Sequence, residues 1–145
     1  MATITEQNPR RDAIELPSIE IFDIAPNPPL FASATILKGS IAINDAGVVK
    51  PMPNTGTPTA GSLLLGVAFD TYTETTATNT LRKMVFLRGE FWFPSKAGDA
   101  PGATELGKLV FIGDNFTVQK TTPGAGALSV KCTGVRANEA RVVIS

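Results

Sequence analysis

The chain has 145 residues, the length of one ordinary domain, and its 13 Lys and Arg residues balance its 13 Asp and Glu residues. A formal net charge of zero gives no long-range field that would attract nucleic acid or anionic lipid, so we expect no direct nucleic-acid partner and no membrane association. The absence of histidine removes the commonest general base, and a single cysteine excludes an internal disulfide and the usual zinc sites.

The N-terminal stretch is polar and rich in proline. It begins "MATITEQNPRRDAIELP" and lacks the apolar core of a secretory signal peptide, so we expect a protein made and kept in a cytoplasm or in a particle assembled there. Each proline removes a backbone donor and fixes φ, which disfavours a central strand. Residues 1–33 are therefore predicted to form an extended arm. Its prolines are Pro9, Pro17, Pro26, Pro28 and Pro29.

One segment of this arm, "SIEIFDI", has the pattern of a strand that is apolar on both faces. Alternation places Ile19 and Ile21 on one face, with Phe22 and Ile24 on the other. Such a strand needs a partner on each side, so we expect it to add to an exposed sheet edge of another protein or of a sister protomer. The interface residues predicted in the arm are Ile19, Ile21, Phe22, Ile24, Leu30 and Phe31.

Residues 34–145 contain short β-branched and aromatic runs that Gly- and Pro-rich turns separate about every ten residues. No window keeps the helical spacing of apolar residues for three turns. This pattern predicts a single, mainly β domain, either a small barrel or a sandwich. The runs are "SIAI", "GVVK", "LLLGVAF", "KMVFL", "EFWF", "KLVFI", "FTVQK", "LSVKC" and "ARVVI".

The domain contains an internal repeat. Gly39 of "LKGSIAI" and Gly107 of "LGKLVFI" are 68 positions apart, and so are Gly66 of "LLLGVAF" and Gly134 of "KCTGVRA". We therefore predict two similar β halves, residues 34–93 and 103–145, that pack together around one core. They differ mainly in a hairpin, which is long and Thr-rich at residues 70–80 and short at residues 136–139.

The segment "FLRGEFWFP" is the most aromatic part of the chain. Strand alternation directs Phe91 and Phe93 to one face and Trp92 to the other. Three interpretations of Trp92 stay open: burial beneath a neighbouring strand or the arm, the anchor of a subunit contact, or an aromatic shelf for a sugar or single-stranded nucleic acid. In "LSVKC", alternation with Val130 predicts that Cys132 is a buried side chain.

The carboxylates give little sign of catalysis. Asp45, Asp99 and Asp114 lie in turns rich in Asn, Gly and Ala, where Asp is favoured because its side chain bonds nearby backbone N–H groups. No calcium-loop motif is present. We therefore expect a protein that is not an enzyme and has no catalytic, metal or cofactor site, although a hydrolase that uses two converging carboxylates stays open as a minor alternative.

The Gly- and Val-anchored phrases of both halves, "ATILKGSIAINDAGVVKPM…LLLGVAF" and "ATELGKLVFIGDNFTVQKT…GVRANEARVVIS", resemble the head decoration, or capsid cement, proteins of tailed bacteriophages. The resemblance covers about 110 residues from Ala34 onward. It does not include the arm or the Thr-rich hairpin. The matching positions are Gly39, Asp45, Val48, Val49, Gly66, Val67, Ala68, Gly107, Asp114, Val118, Gly134 and Val135.

This resemblance implies a mostly β structural protein, commonly a homotrimer, made in the host cytoplasm and bound to the outer surface of the capsid. Its partner would be the major capsid protein, whose neighbouring subunits it would clamp against the outward load of packaged DNA. Trp92 joins the arm residues as an expected interface residue. The alternative is a glycan- or receptor-binding β module of a tail or surface assembly, with Trp92 and the Thr-rich hairpin as its binding face.

Overall fold

The computed structural model describes residues 5–22, 35–73 and 83–145 of the chain. These residues are mainly β, as predicted, and their only helical element is a 3₁₀ turn at Ala103–Glu105. The strands are β1 (Arg11–Phe22), β2 (Thr35–Ile36), β3 (Ile41–Asp45), β4 (Val48–Pro51), β5 (Leu63–Ala68), β6 (Tyr72–Thr73), β7 (Lys83–Pro94), β8 (Leu109–Ile112), β9 (Val118–Gln119), β10 (Ser129–Arg136) and β11 (Glu139–Ile144).

Nine of the strands form one antiparallel sheet that curls into a half-barrel. Its order is β4-β3-β5-β7-β11-β10-β8-β9, and β1 is added along β7. The curl brings strands near the two edges of the sheet into contact. The Ile41 N–H at the start of β3 donates to the Asn115 carbonyl, in the segment after β8, at 2.7 Å. The short strands β2 and β6 pair separately as a second sheet.

Strand β7 is the central element of the large sheet. It joins the two sequence runs "KMVFL" and "EFWF" into one strand of 12 residues across Gly89. One edge of β7 pairs with β1, whereas β5 and β11 pair with successive parts of the other edge. Gly89 has φ +132°, and a Cβ there would lie 2.3 Å from the Ile14 carbonyl oxygen. Glycine therefore allows β1 to approach β7 closely.

The main core lies inside the curl. Phe91 and Phe93 point into it, as predicted, and their rings lie 6.0 Å apart. The prediction for Cys132 is also confirmed, because its side chain is fully buried and burial raises the pKa of its thiol. The other fully or nearly fully buried members are Ile41, Ile43, Met52, Val67, Val110, Ile112, Val118, Val130, Ala140, Val142 and Ile144.

A second, smaller core lies on the outer face of the sheet, beneath β2 and β6. The ring of Tyr72 from β6 packs edge-on against Phe86 of β7, with 5.8 Å between centroids. Ile19 and Ile21 of β1 pack against the same cluster from the side. Its buried members are Ile36, Ala42, Val49, Leu65, Ala68, Met84 and Phe86.

The extended arm over residues 1–33 is not confirmed. The structure places Arg11–Phe22 in the sheet of its own domain, where β1 pairs with β7 over most of its length. Pro17 has no N–H to donate to a neighbouring strand. It is tolerated in β1 because, among the described residues, β1 pairs with β7 alone and its other edge makes no ladder hydrogen bonds. The rest of the predicted arm after Phe22, including Ile24, Leu30 and Phe31, lies outside the described residues.

Two equivalent halves are not confirmed either. The order of strands, read from each edge of the sheet to its centre, is β4-β3-β5-β7 on one side and β9-β8-β10-β11 on the other. The register differs, however. The Gly39 N–H donates to the Ala68 carbonyl at 2.9 Å, whereas the Gly107 N–H donates to the Cys132 carbonyl at 2.8 Å. The residue 68 positions before Cys132 is Leu64, so the spacing of the glycines does not correspond to a repeated register.

Candidate functional site

The outer face around Trp92 is a network of charged side chains from four strands. Trp92 points away from the main core and is half-buried. Its indole Nε1 donates to Asp12 Oδ2 of β1 at 2.9 Å, and Arg141 Nη1 of β11 donates to the same oxygen at 3.0 Å. Asp12 thus connects β1 to β7 and β11 through one carboxylate.

Two guanidinium groups lie against the indole ring. The Arg136 guanidinium carbon lies 3.8 Å from the ring centroid and that of Arg141 5.5 Å from it. Cations at these distances are attracted by the negative face of the ring. Trp92 therefore contacts β1 but is half-buried and not fully buried beneath a strand or the arm, and Arg136 occupies part of the ring surface that a sugar or a base would use.

Glu90 lies beside this network and is almost completely buried, with 4% of its surface exposed. Its Oε2 accepts a hydrogen bond from Thr133 Oγ1 at 2.7 Å, and Arg141 Nε lies 3.3 Å from the same oxygen. A buried carboxylate needs such partners, because an unpaired charge away from water is costly.

A third carboxylate, Glu139, anchors the residues before β1. It accepts hydrogen bonds from Arg10 and, at 2.8 Å, from Arg136 Nε. These two arginines, Arg10 most strongly, lower the pKa of Glu139, because their hydrogen bonds and charges favour its ionised form. The network thus fixes both the start of β1 and the guanidinium group that covers Trp92.

Next to the network the outer face combines polar side chains with exposed apolar ones. Glu90, Val143, Lys131 and Leu109 form a row of cross-strand neighbours over β7, β11, β10 and β8. Leu109 is 62% exposed, and Ile14 of β1 is 46% exposed. A groove of about 520 Å³ lies between them, and we call it the outer groove. Its lining is Ile14, Leu64, Leu109, Ser129, Val130, Lys131, Thr133, Val143 and Ser145.

The structure separates the predicted interface residues. Ile19 and Ile21 lie together, half-buried against the second core of their own domain, whereas Trp92 lies near the opposite end of β1, beside Asp12. The backbone of Phe22 pairs with Lys83. The outer groove was not predicted from the sequence. Leu109 lies in the run "KLVFI", where four consecutive residues are apolar, so alternation does not show which of these side chains point outward.

A second cleft, lined by both polar and apolar residues, lies where three loops meet. It has a volume of about 760 Å³ and is formed by the segment after β4, the segment after β7 and the turn after β8. We call it the loop cleft. Its lining is Asn54, Thr55, Pro94, Ser95, Lys96, Ala97, Gly113, Asp114, Phe116 and Thr117.

Few features of the described residues indicate a known chemistry. Over residues 5–22, 35–73 and 83–145, no group of three or more Cys, Asp or Glu side chains is arranged to hold a metal ion. None of the helical structure in this part of the chain is long and apolar enough to cross a membrane. Comparison of the chain with family models, curated proteins and solved structures gives no significant match.

Proposed function

We propose that the protein is a structural virion protein that decorates a phage head and stabilises it by clamping neighbouring major capsid subunits. The structural observation that carries the proposal is the outer groove beside the edge strand β1, where the exposed apolar side chains of Ile14 and Leu109 lie among polar ones. Large apolar side chains exposed on a rim of polar residues are typical of protein–protein contacts. The resemblance of residues 34–145 to capsid cement proteins supplies the identity of the partner.

The edge of β1 offers a second contact to the same partner. Within the part of the chain that the structure describes, β1 pairs with β7 alone, so its other edge is available for a strand of a capsid subunit or of a sister protomer. Main-chain hydrogen bonds of such an added strand supply affinity, and side chains in adjacent pockets supply specificity. Ile14 belongs to both surfaces, because it lies on β1 and lines the outer groove.

The proposal includes a homotrimer on the outer surface of the virion, made in the host cytoplasm. An interface of standard size buries about 800 Å² on each partner, and three linked attachments convert modest contacts into strong avidity. Ile24, Leu30, Phe31, Phe22 and Trp92 remain the proposed additional contact residues. The protein requires no catalysis, cofactor, nucleic acid or membrane for this mechanical role.

Two finer features of the architecture belong to the same proposal. We propose that the residues before β2 act as a docking segment, with β1 as its folded base and residues 23–33 as the part that reaches the partner. We also propose that the domain descends from a duplicated β unit. The matching order of strands on the two sides of the sheet supports this origin, and the different register reflects divergence of the two halves.

The test adds purified protein to undecorated heads and measures occupancy. We expect Leu109→Glu to weaken binding about tenfold or more, because a charge in the outer groove must be desolvated against the capsid. Leu106→Glu is the matched control, since Leu106 is also a large exposed residue, at 46%, but lies outside the groove. Equal occupancy of the two variants would contradict the proposal.

Point variants test the capsid contact more clearly than a deletion of residues 1–33 would. The deletion removes β1 and leaves one edge of β7 without its partner, so lost binding would not distinguish a missing contact from a damaged domain. Copy number on purified particles gives an independent measurement. Many copies spread over the head support the proposal, whereas a few copies at a vertex or tail contradict it.

The alternative, a glycan- or receptor-binding module centred on Trp92, has less support. Arg136 lies over the indole ring, and the ring edge is fixed by Asp12. A ligand would have to displace a paired guanidinium group to stack on Trp92. A glycan array with Trp92→Ala as the comparison tests this alternative, which predicts signals that the variant loses.

A further inference from the structure

The charged network around Trp92 is complete in itself. It pairs three carboxylates with three guanidinium groups, so it has no net charge to offer a partner. Glu15, the next acid along β1, is paired with Arg11 at 3.3 Å. Two cations of the same face, Arg88 and Lys131, take part in none of these ion pairs. The outer face therefore has an excess of positive charge beside the outer groove.

Arg88 of β7 is the unusual member of this pair. Its Nε is buried and has no hydrogen-bond partner among the described residues. Its two terminal nitrogens hydrogen-bond to no described residue either, but they are open to solvent, since the side chain as a whole is only half-buried. A guanidinium group keeps its proton in proteins, so burial cannot neutralise it. Arg88 thus holds a charge that no described residue compensates, whereas partly buried charges are normally paired.

The register of the strands places Arg88 next to the outer groove. Phe86 and Trp92 of β7 both point to the outer face, and alternation along the strand gives Arg88 the same direction. Strand β11 ends at Ile144, opposite the residue after Arg88, so Ser145 lies beside Arg88. Ser145 lines the outer groove. The terminal nitrogens of Arg88 are therefore within reach of a molecule that lies in the groove.

Lys131 of β10 supplies the second charge. Its side chain is exposed and lines the groove, and both of its cross-strand neighbours, Val143 and Leu109, are apolar. Two strand spacings and an offset of two residues separate the backbones of Lys131 and Arg88, which corresponds to roughly 12 Å. Val143 lies between them on β11. The face thus presents two unpaired cations with an apolar side chain between them.

We propose that the outer groove binds an extended acidic segment of a protein partner, in which two carboxylates flank an apolar side chain. One carboxylate accepts from both terminal nitrogens of Arg88, in the bidentate geometry that guanidinium groups favour, and the other accepts from Lys131. The apolar side chain packs over Val143. Residues i, i+2 and i+4 of an extended segment share one face and span about 13 Å, which fits the separation of the two cations.

The chemistry of the face favours a polypeptide over other polyanions. Nucleic acid is held by many phosphate contacts, whereas this face offers two cations that the described residues leave unpaired. The exposed side chains of Ile14 and Leu109 need apolar groups, which a peptide supplies and a sugar–phosphate backbone does not. Ion pairs that form under such apolar cover are screened by salt less than exposed ones. The inference rests on the proposed function in that both use the outer groove, and it adds the chemistry of the capsid segment that occupies it.

The test pans a random-peptide phage-display library on the purified full chain and measures the affinity of the enriched peptides by fluorescence anisotropy. We expect enrichment of sequences in which two Asp or Glu residues lie about four positions apart around an apolar residue. The double variant Arg88→Met/Lys131→Gln should bind these peptides at least about tenfold more weakly. Lys96→Gln is the matched control, because Lys96 is exposed like Lys131 but lines the loop cleft, and it should bind as the wild type does.

The variants separate binding from folding. Arg88→Met removes a charge that lacks a partner, so the free energy of unfolding in urea should stay the same or rise. Lys131→Gln alone changes an exposed side chain and should still weaken the peptides about threefold or more. Failure to enrich acidic peptides, or equal affinity of the wild type and the double variant, overturns the proposal. A double variant that sediments as a smaller species than the wild type also overturns it, because a second copy of the chain then occupies the face.

Binding to undecorated heads distinguishes this inference from the proposed function. If Leu109→Glu lowers occupancy and Arg88→Met/Lys131→Gln does not, the groove binds the capsid without an acidic segment, and the inference alone fails. If the wild type binds acidic peptides through these two cations but does not bind heads, the capsid is the wrong partner and the inference stands.

Discussion

Trp92 illustrates how one side chain joins parts of the chain that are far apart in sequence. Its neighbours Asp12 and Arg136 lie 80 residues before it and 44 residues after it. The indole N–H needs an acceptor once the ring is half-buried, and Asp12 supplies a charged one. The residue thereby holds the start of β1 against the centre of the sheet.

We therefore expect Trp92→Phe to destabilise the protein by about 1–2 kcal/mol, the range for a lost hydrogen bond to a charged group with a weaker cation–π contact. Urea unfolding followed by circular dichroism measures the change. A double-mutant cycle with Asp12→Ala should give a coupling energy of about 1 kcal/mol. Additive effects of the two substitutions would show that the Nε1–Asp12 bond contributes nothing.

At the scale of the element, the close pairing of β1 with β7 requires that one residue of β7, Gly89, has no side chain. A Cβ on Gly89 would lie 2.3 Å from the Ile14 carbonyl oxygen, and its φ of +132° also disfavours any L residue. Backbone cannot yield as a flexible side chain can. The approach of β1 is therefore specified by Gly89 as much as by the apolar residues of β1 itself.

Gly89→Ala should loosen β1 and lower the free energy of unfolding by about 2 kcal/mol or more. Hydrogen exchange should report faster exchange over Arg11–Phe22 than in the wild type. Gly102→Ala is the control, since the nearest atom to a Cβ there is 3.8 Å away and φ lies in the ordinary range. Equal protection of β1 in the two variants would count against a close β1–β7 contact.

The strands that sequence alone identifies are those with a strong local signal. Runs such as "LLLGVAF" and "ARVVI" are β-branched, bounded by turns and correctly predicted as β5 and β11. The two-residue strands β2 and β6 are missed, whereas β9, which is equally short, lies within the predicted run "FTVQK". Residues 11–16 contain three charges and only the short alternation of Ile14 and Leu16, so their pairing with β7 depends on tertiary contacts.

The candidate sites also contain some features that the sequence predicts locally and others that depend on tertiary contacts. Alternation predicts the outward direction of Trp92, because that direction is a local property of the strand. Arg136 and Asp12 could not be predicted as its partners, since register between distant strands brings them there. For the loop cleft, sequence identifies Asp114 only as a turn residue. The cleft that Asp114 lines becomes visible only once the loops after β4, β7 and β8 are seen to converge.

At the scale of the whole molecule, the balanced charge and the outer groove, where Lys131 is the only lining residue with a charged side chain, predict how binding responds to salt. An interface dominated by apolar contact is little affected by ionic screening. We expect the affinity for heads to change less than about threefold between about 0.1 and 0.5 M NaCl. Occupancy measured by sedimentation at several salt concentrations is the check, and a steep loss would assign the contact to the charged network around Trp92 instead.

The central position of β7 also bears on how the chain folds. Its pairing with β1 places Arg11 opposite Phe91, 80 positions along the chain, and its pairing with β11 uses strands from the far end of the sequence. Long loops must close before these pairs form, so folding on a timescale of milliseconds to seconds is expected. During synthesis, residues 89–94 emerge before β11 exists. One edge of β7 then stays open until the last strand is made, which makes this edge the point most exposed to mispairing between nascent chains.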